Sequence, residues 1–210
     1  MWKDTIGGII LISFTIVMIA RFKRGQVHNR WKWLLGYILA IIGLLFALSY
    51  PIENWFYSFP SIEALAQYAC DGEEMLLVDG SDSCFIVYRA RSEKYSYMIS
   101  PKTESGYKIG RLSAHKELSK TVSMQYVVTI VQSDGSGDVY VLIGGLSVEQ
   151  CKDIQDSRNS SFVFETFPEK PINGEPIVRI LASAYLGDHF DVPYEIDISD
   201  GKGTVTARFP

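Results

Sequence analysis

Residues 121–143 read Thr121-Val-Ser-Met-Gln-Tyr126-Val-Val-Thr-Ile-Val-Gln132, then Ser133, then Asp134-Gly-Ser-Gly-Asp138, then Val139-Tyr-Val-Leu-Ile143. Both arms are rich in β-branched and aromatic residues, and a glycine-rich turn separates them. Such a pattern predicts a strand over 121–132, a tight turn, and a second strand over 139–143. Working outward, every run from residue 118 onward reads the same way. Phe162–Phe167 alternates in part, a Pro/Gly-rich loop covers 168–176, and Ile177–Tyr185 follows. Tyr194, Ile196 and Ile198 alternate with Glu195, Asp197 and Ser199, and Asp200-Gly-Lys-Gly203 leads back into Val205, Ala207 and Phe209. Six strands with regular turns predict a β-sandwich over 118–210, immunoglobulin-like in its strand spacing.

Upstream of this lies a smaller pattern, over 58–112. Ser61 is placed to cap a helix over 62–69, with Ile62, Leu65, Ala66 and Ala69 on one face and Glu63 in the first turn. Short runs at Met75–Val78, Phe85–Arg89, Tyr95–Ile99 and Tyr107–Ile109 predict an antiparallel meander beside that helix. The expected core is Ile62, Leu65, Val78, Ile86, Val128, Ile143, Ile180, Ile196 and Val205.

The order Ser61-Ile-Glu-Ala-Leu65, strand, Asp79-Gly80 turn, Phe85-Ile-Val-Tyr88, Tyr95-Ser-Tyr97, Gly106-Tyr-Lys-Ile109 resembles a module found in uncharacterised membrane-anchored extracytoplasmic proteins of Gram-positive bacteria. The resemblance spans residues 61–109 and implies no activity and no functional residue.

The N-terminal part differs in composition. Residues 5–20 and 33–50 contain no charged residue and no His. Eighteen uncharged residues in a helix cover about 27 Å, near the thickness of a hydrocarbon core. Trp31 and Trp33 flank one end of 33–50, and Tyr50, Trp55, Phe56 and Tyr57 the other. Gly36, Ala40, Gly43 and Ala47 form a stripe of small residues suited to helix packing. The expectation is a two-helix transmembrane hairpin over 1–50, with helices 5–20 and 33–50, followed by an interfacial linker over 51–57. Loop 21–32 carries five basic residues and no acid, which predicts that it is cytoplasmic. The expected location is therefore a bacterial cytoplasmic membrane, two-pass, with both termini extracytoplasmic and a membrane-anchored, mostly β, α+β fold outside.

Charge narrows the partners. The chain has 20 Lys+Arg and 24 Asp+Glu, a net −4, and the first fifty residues hold only Asp4 among the acids. The remainder is strongly acidic, which excludes nucleic acid as a partner. The partners expected are the lipid bilayer and an envelope or membrane protein.

Candidate chemistry is sparse. Asp188-His189-Phe190-Asp191 places a His between two acids, an arrangement able to orient a general base. Cys70 and Cys84 are spaced for a possible disulfide, leaving Cys151 over. Asp134-Gly-Ser-Gly-Asp138 imitates the start of a calcium loop, but Val139 and Gly145 occupy the positions that need Gly and Glu, so a hairpin turn is the reading. No metal and no cofactor is implied. These features predict a membrane-tethered extracytoplasmic binding or interaction module. The alternatives are an envelope hydrolase using the 188–191 loop, with Asp188, His189 and Asp191 as its catalytic groups, and an accessory subunit of a larger membrane complex.

Overall fold

A computed structural model describes residues 13, 15–21, 30–49, 51–70, 72–90, 95–110, 115–123, 126–172 and 175–210. The chain divides into two units, 1–56 and 57–210.

In the first unit, residues 15–21 are helical, helix α1 runs Arg30–Ser49, and a 3-10 turn covers Ile52–Trp55. The Thr15 and Tyr37 hydroxyls are 2.8 Å apart, and the Arg21 guanidinium lies 5.7 Å from the centre of the Trp33 ring. The transmembrane hairpin is corrected here, and with it the two-pass membrane location. Among the described residues no helix is long and apolar enough to cross a membrane. Helix α1 opens on Arg30 and Lys32, and its side chains are described only as far as Gly43. Of the expected helix 5–20, residues 5–12 and 14 lie outside the described residues, as do 22–29 of the loop and Tyr50. The small-residue stripe lies on α1, and most of the helix expected to pack on it, 5–20, lies outside the described residues. A Cβ built on Gly36 or Gly43 would meet nothing within 4 Å, Ala40 is exposed, and the Ala47 side chain lies outside the description.

The second unit is built of antiparallel sheets. Helix α2, Ile62–Ala69, starts where expected: the Ala64 N–H donates to the Ser61 hydroxyl at 3.2 Å. Strands β1 (Gly72–Asp79), β2 (Ser83–Ala90), β3 (Tyr95–Thr103) and β4 (Gly106–Tyr107) form one sheet in that order. A five-stranded sheet has the order β5 (His115–Val122), β6 (Val127–Ser133), β7 (Val139–Ser147), β10 (Glu175–Gly187), β9 (Val163–Ile172). A three-stranded sheet has the order β12 (Thr204–Phe209), β11 (Tyr194–Ser199), β8 (Asp153–Asp156).

Three apolar interlayers join these parts. Leu65 and Ala66 of α2 meet Cys84, Ile86 and Met98 of the first sheet. The other face of that sheet, with Phe85 and Val87, meets Tyr140, Leu142 and Leu181 of the five-stranded sheet. The far face of the five-stranded sheet, with Val139, Val141, Ile143 and Ala182, meets Ile154, Tyr194, Ile196 and Phe209 of the three-stranded sheet. The run Val139-Tyr-Val-Leu-Ile143 is unbroken in its apolarity because β7 is covered on both faces. Successive side chains point opposite ways, so odd positions serve one core and even positions the other. Phe85 stacks on Tyr140 at 5.2 Å and 15°, tying the first sheet to the second.

From β6 to β12 the strand order is 6-7-10-9 in one sheet and 8-11-12 in the other. That is the order of a seven-strand immunoglobulin constant-type sandwich, with β5 added outside its first strand. Two strands depart from the expected pattern: β5 is separate from β6, and β8 is an additional strand. The expected strand 121–132 is two strands, because Ser123 turns the chain: its N–H donates to the Tyr126 carbonyl at 2.9 Å and its hydroxyl accepts from the Tyr126 N–H at 3.1 Å. The outer strands β5 and β8 are polar and short of apolar alternation, as edge strands commonly are. The expected loop 168–176 is strand up to Ile172 and again from Glu175.

Candidate functional site

The 188–191 loop follows β10, which ends on Gly187 at a φ of 107°. Its geometry is set by Arg158. One guanidinium nitrogen donates to the Leu186 carbonyl at 2.9 Å and the His189 carbonyl at 2.8 Å, and the other to the Asp191 carbonyl at 3.1 Å. The same guanidinium lies over the Phe190 and Tyr194 rings and 3.5 Å from the Asp191 carboxylate. Behind it, buried Asp156 accepts from the Tyr194 hydroxyl at 2.8 Å and from the Ser160 N–H at 2.7 Å. Burial, followed by the neighbouring Asp156 charge, pushes the Tyr194 phenol above its usual range. The His189 ring nitrogen Nδ1 sits 2.7 Å from the Asp188 main-chain carbonyl. Asp188, His189 and Asp191 therefore share one loop, but the imidazole is placed against a carbonyl and the Asp191 carboxylate against Arg158. The arrangement anchors a loop.

No disulfide joins Cys70, Cys84 and Cys151, so the possible Cys70–Cys84 bridge is not formed. Both belong to the apolar layer under α2, where Cys84 is buried and Cys70 packs beside it. Burial, then the Asp79 charge, pushes the Cys84 thiol up to about 12. A thiol held neutral in this way is a packing residue. Burial likewise raises the Cys151 thiol.

One polar cluster was not foreseen. Asp138 closes the turn between β6 and β7, and its side chain is wholly buried. Its Oδ2 accepts from the Asp82 N–H at 2.9 Å and the Ser83 hydroxyl at 2.7 Å, and its Oδ1 from the Tyr185 hydroxyl at 3.0 Å. A hydroxyl has one proton. Ser83 spends its proton on Asp138, so Tyr140 must donate to Ser83 across their 2.8 Å contact. By the same count Ser81 donates to Tyr185 at 2.8 Å. The cluster pins the β1–β2 turn of the first sheet to the β6–β7 turn of the second. Among the described residues no group of three or more His, Cys, Asp or Glu is placed to hold a metal ion.

The surface that stands out is apolar. Strands lie about 4.8 Å apart, so three strands span about 10 Å where five span about 19 Å. The three-stranded sheet cannot cover its partner. Directly paired residues in an antiparallel ladder share a face. Phe164 pairs with Ala182, which is buried in the sandwich core, yet Phe164 is 45% exposed. Two positions along, Thr166 pairs with buried Ile180, and beyond it Pro168 pairs with Val178, which is 43% exposed. The Val148 N–H donates to the Val178 carbonyl at 3.1 Å, which sets exposed Val148 beside it. Phe162 leans on Phe164 with ring centres 6.3 Å apart. Phe164, Pro168, Val178 and Val148 thus make an open apolar strip along β9, an edge strand of the five-stranded sheet. Comparison with protein-family models, with curated proteins and with solved structures finds no match to the chain.

Proposed function

We propose that residues 57–210 act as a binding module that takes an extended apolar segment of another protein along β9. The observation that carries this reading is the exposure of Phe164 on the same face as fully buried Ala182. An edge strand offers unpaired main-chain groups, and an incoming strand gains affinity from them and specificity from side-chain contacts on one face. Val163–Phe167 contains no proline, whereas Pro168 and Pro171 remove donors from the second half of β9. The docking length is therefore about five residues, with Phe164 at its centre. A hydrolase centred on Asp188, His189 and Asp191 draws no support from a loop whose main-chain carbonyls are taken up by Arg158.

The test is a photo-crosslinking amino acid placed at position 164 of the full chain in cells, with position 202 as control. One dominant adduct at 164, absent at 202 and lost with Val178→Asp, is the expected result. Equal adducts at both positions, or none at 164, would refute the reading.

A further inference from the structure

We infer that the segment received along β9 carries a Lys or Arg opposite Glu165, with apolar side chains alternating on its other face. The inference rests on the β9 reading and names the chemistry of its partner. Successive residues of a strand point opposite ways. Phe164 and Pro168 face the open strip, so Val163, Glu165 and Phe167 turn toward the first sheet. Glu165 pairs with Leu181, which is buried between those two sheets, and Phe167 packs in the same layer. Glu165 itself is exposed at the rim. Two cations share its side, and each is engaged elsewhere. Arg89 lies over the Phe167 ring at 5.9 Å, and Arg179, which pairs with Phe167, donates to the Gly145 carbonyl at 2.7 Å. Among the described residues no cation pairs with Glu165. A strand laid along β9 sets one of its side chains about 5 Å from Glu165 on the same face, where a cation is attracted and an anion repelled. The wider field acts in the same sense. Residues 57–210 hold 22 acidic and 14 basic residues, so the unit draws in a basic segment. The same carboxylate disfavours a second copy of the chain. Two β9 edges paired antiparallel over Val163–Phe167 put Glu165 against Glu165, and like charges directly opposite are destabilising. One side chain thus rejects self-pairing and selects the partner, by repulsion and attraction together.

The experiment is fluorescence anisotropy of three labelled peptides with the full chain: Thr-Val-Thr-Val-X-Val-Thr-Val-Thr, with Lys, Gln or Glu at X. In an extended peptide the valines share one face and X lies on the other, so only the residue that meets Glu165 changes. The Lys peptide is expected to bind most tightly, and the Glu peptide at least about tenfold less tightly. Glu165→Lys should invert that order and Glu165→Gln should level it. Thermal unfolding of both variants should be unchanged, because the position is exposed. Salt at about 0.5 M should shrink the difference between the Lys and Glu peptides. Equal affinities for the three peptides, all lost in Val178→Asp, would overturn this inference and leave the β9 reading standing. Failure of every peptide to bind would overturn both. Self-association of the wild type that Val178→Asp abolishes would overturn the inference by giving the edge to a second copy.

Discussion

The Tyr185 hydroxyl on β10 donates to Oδ1 of Asp138 at 3.0 Å, and the two residues are 47 positions apart in the chain. Through that bond, and through Ser83 and the Asp82 N–H on Oδ2, one carboxylate holds together two hairpin turns from different sheets. Three donors end on Asp138 directly, and Tyr140 and Ser81 donate to Ser83 and Tyr185 behind them. A buried polar network of this kind rigidifies only while all its members are satisfied.

Asp138→Ala is therefore expected to destabilise the second unit strongly, because it strands the Ser83 and Tyr185 hydroxyls and the Asp82 N–H together. Asp138→Asn keeps one acceptor and should cost about 1–3 kcal/mol, and Tyr185→Phe about 1 kcal/mol. Urea denaturation of the three variants checks the ranking. Equal stability of Asp138→Asn and wild type would show that the carboxylate is not the hub.

Much of this fold is legible in the sequence, and the places where it is not have a common cause. Ser61 as cap, α2 over 62–69, and the pairings around Asp79–Ser83 and Asp200–Gly203 depend on local chemistry, and each was readable from residues in contact along the chain. Asp138 was not, because an Asp in a glycine-rich turn reads as solvated. Its burial depends on Ser83, 55 positions away, arriving over it. The apolar strip escaped for a related reason. Alternation in 162–167 tells which side chains share a face, but whether that face is covered depends on three strands meeting five. At the N-terminus one helix does cover the expected 33–49 and extends back to Arg30, but among the described residues no helix is long and apolar enough to cross a membrane.

Val205 and Ile198 show the same limit and supply a second prediction. They are directly paired on one face of β11 and β12, and Val205 is expected in the core, yet Ile198 is 3% exposed and Val205 is 47% exposed. Ile198→Ala is expected to cost about 2–4 kcal/mol, whereas Val205→Thr should fall within about 0.5 kcal/mol of wild type. Comparable losses in thermal or urea unfolding would mean that β12 is covered in solution.

Cys84 ties stability to pH. Its thiol is raised to about 12 in the folded chain by burial, so the folded state keeps the proton that the unfolded chain releases above the ordinary thiol value of 9.0. The sign follows: below the unfolded value this contribution is complete, and between the two values the native state holds the extra proton, so stability falls as pH rises. The slope from this group approaches about 1.4 kcal/mol per pH unit. Cys84→Ala should lower stability near neutrality through its cavity but flatten the decline above pH 9.0. Denaturation at stepped alkaline pH, with identical slopes in both chains, would contradict the assignment.

Arg158 provides the last prediction, which separates loop anchoring from catalysis. Its guanidinium donates to three carbonyls between Leu186 and Asp191 while stacked against two rings. Hydrogen bonds from a charged donor are worth about 1.5–3 kcal/mol each before the cost of ordering the chain, so Arg158→Ala should destabilise by about 2–4 kcal/mol. Arg158→Lys should recover only part of that, because a compact ammonium cannot span the three acceptors as a planar fork does. The loss should be local first. Amide exchange at 188–191 is expected to accelerate in Arg158→Ala well before that of β6 and β7, whose hydrogen bonds lie between two covered faces. His189→Ala, by contrast, removes an exposed ring placed against its neighbour's carbonyl, and should change stability by no more than about 0.5 kcal/mol. If His189→Ala left folding and loop exchange intact but abolished a measured hydrolytic activity, the loop would be an active site that Arg158 merely positions. If Arg158→Ala loosened the loop and His189→Ala did nothing in either assay, anchoring would be the whole of its role.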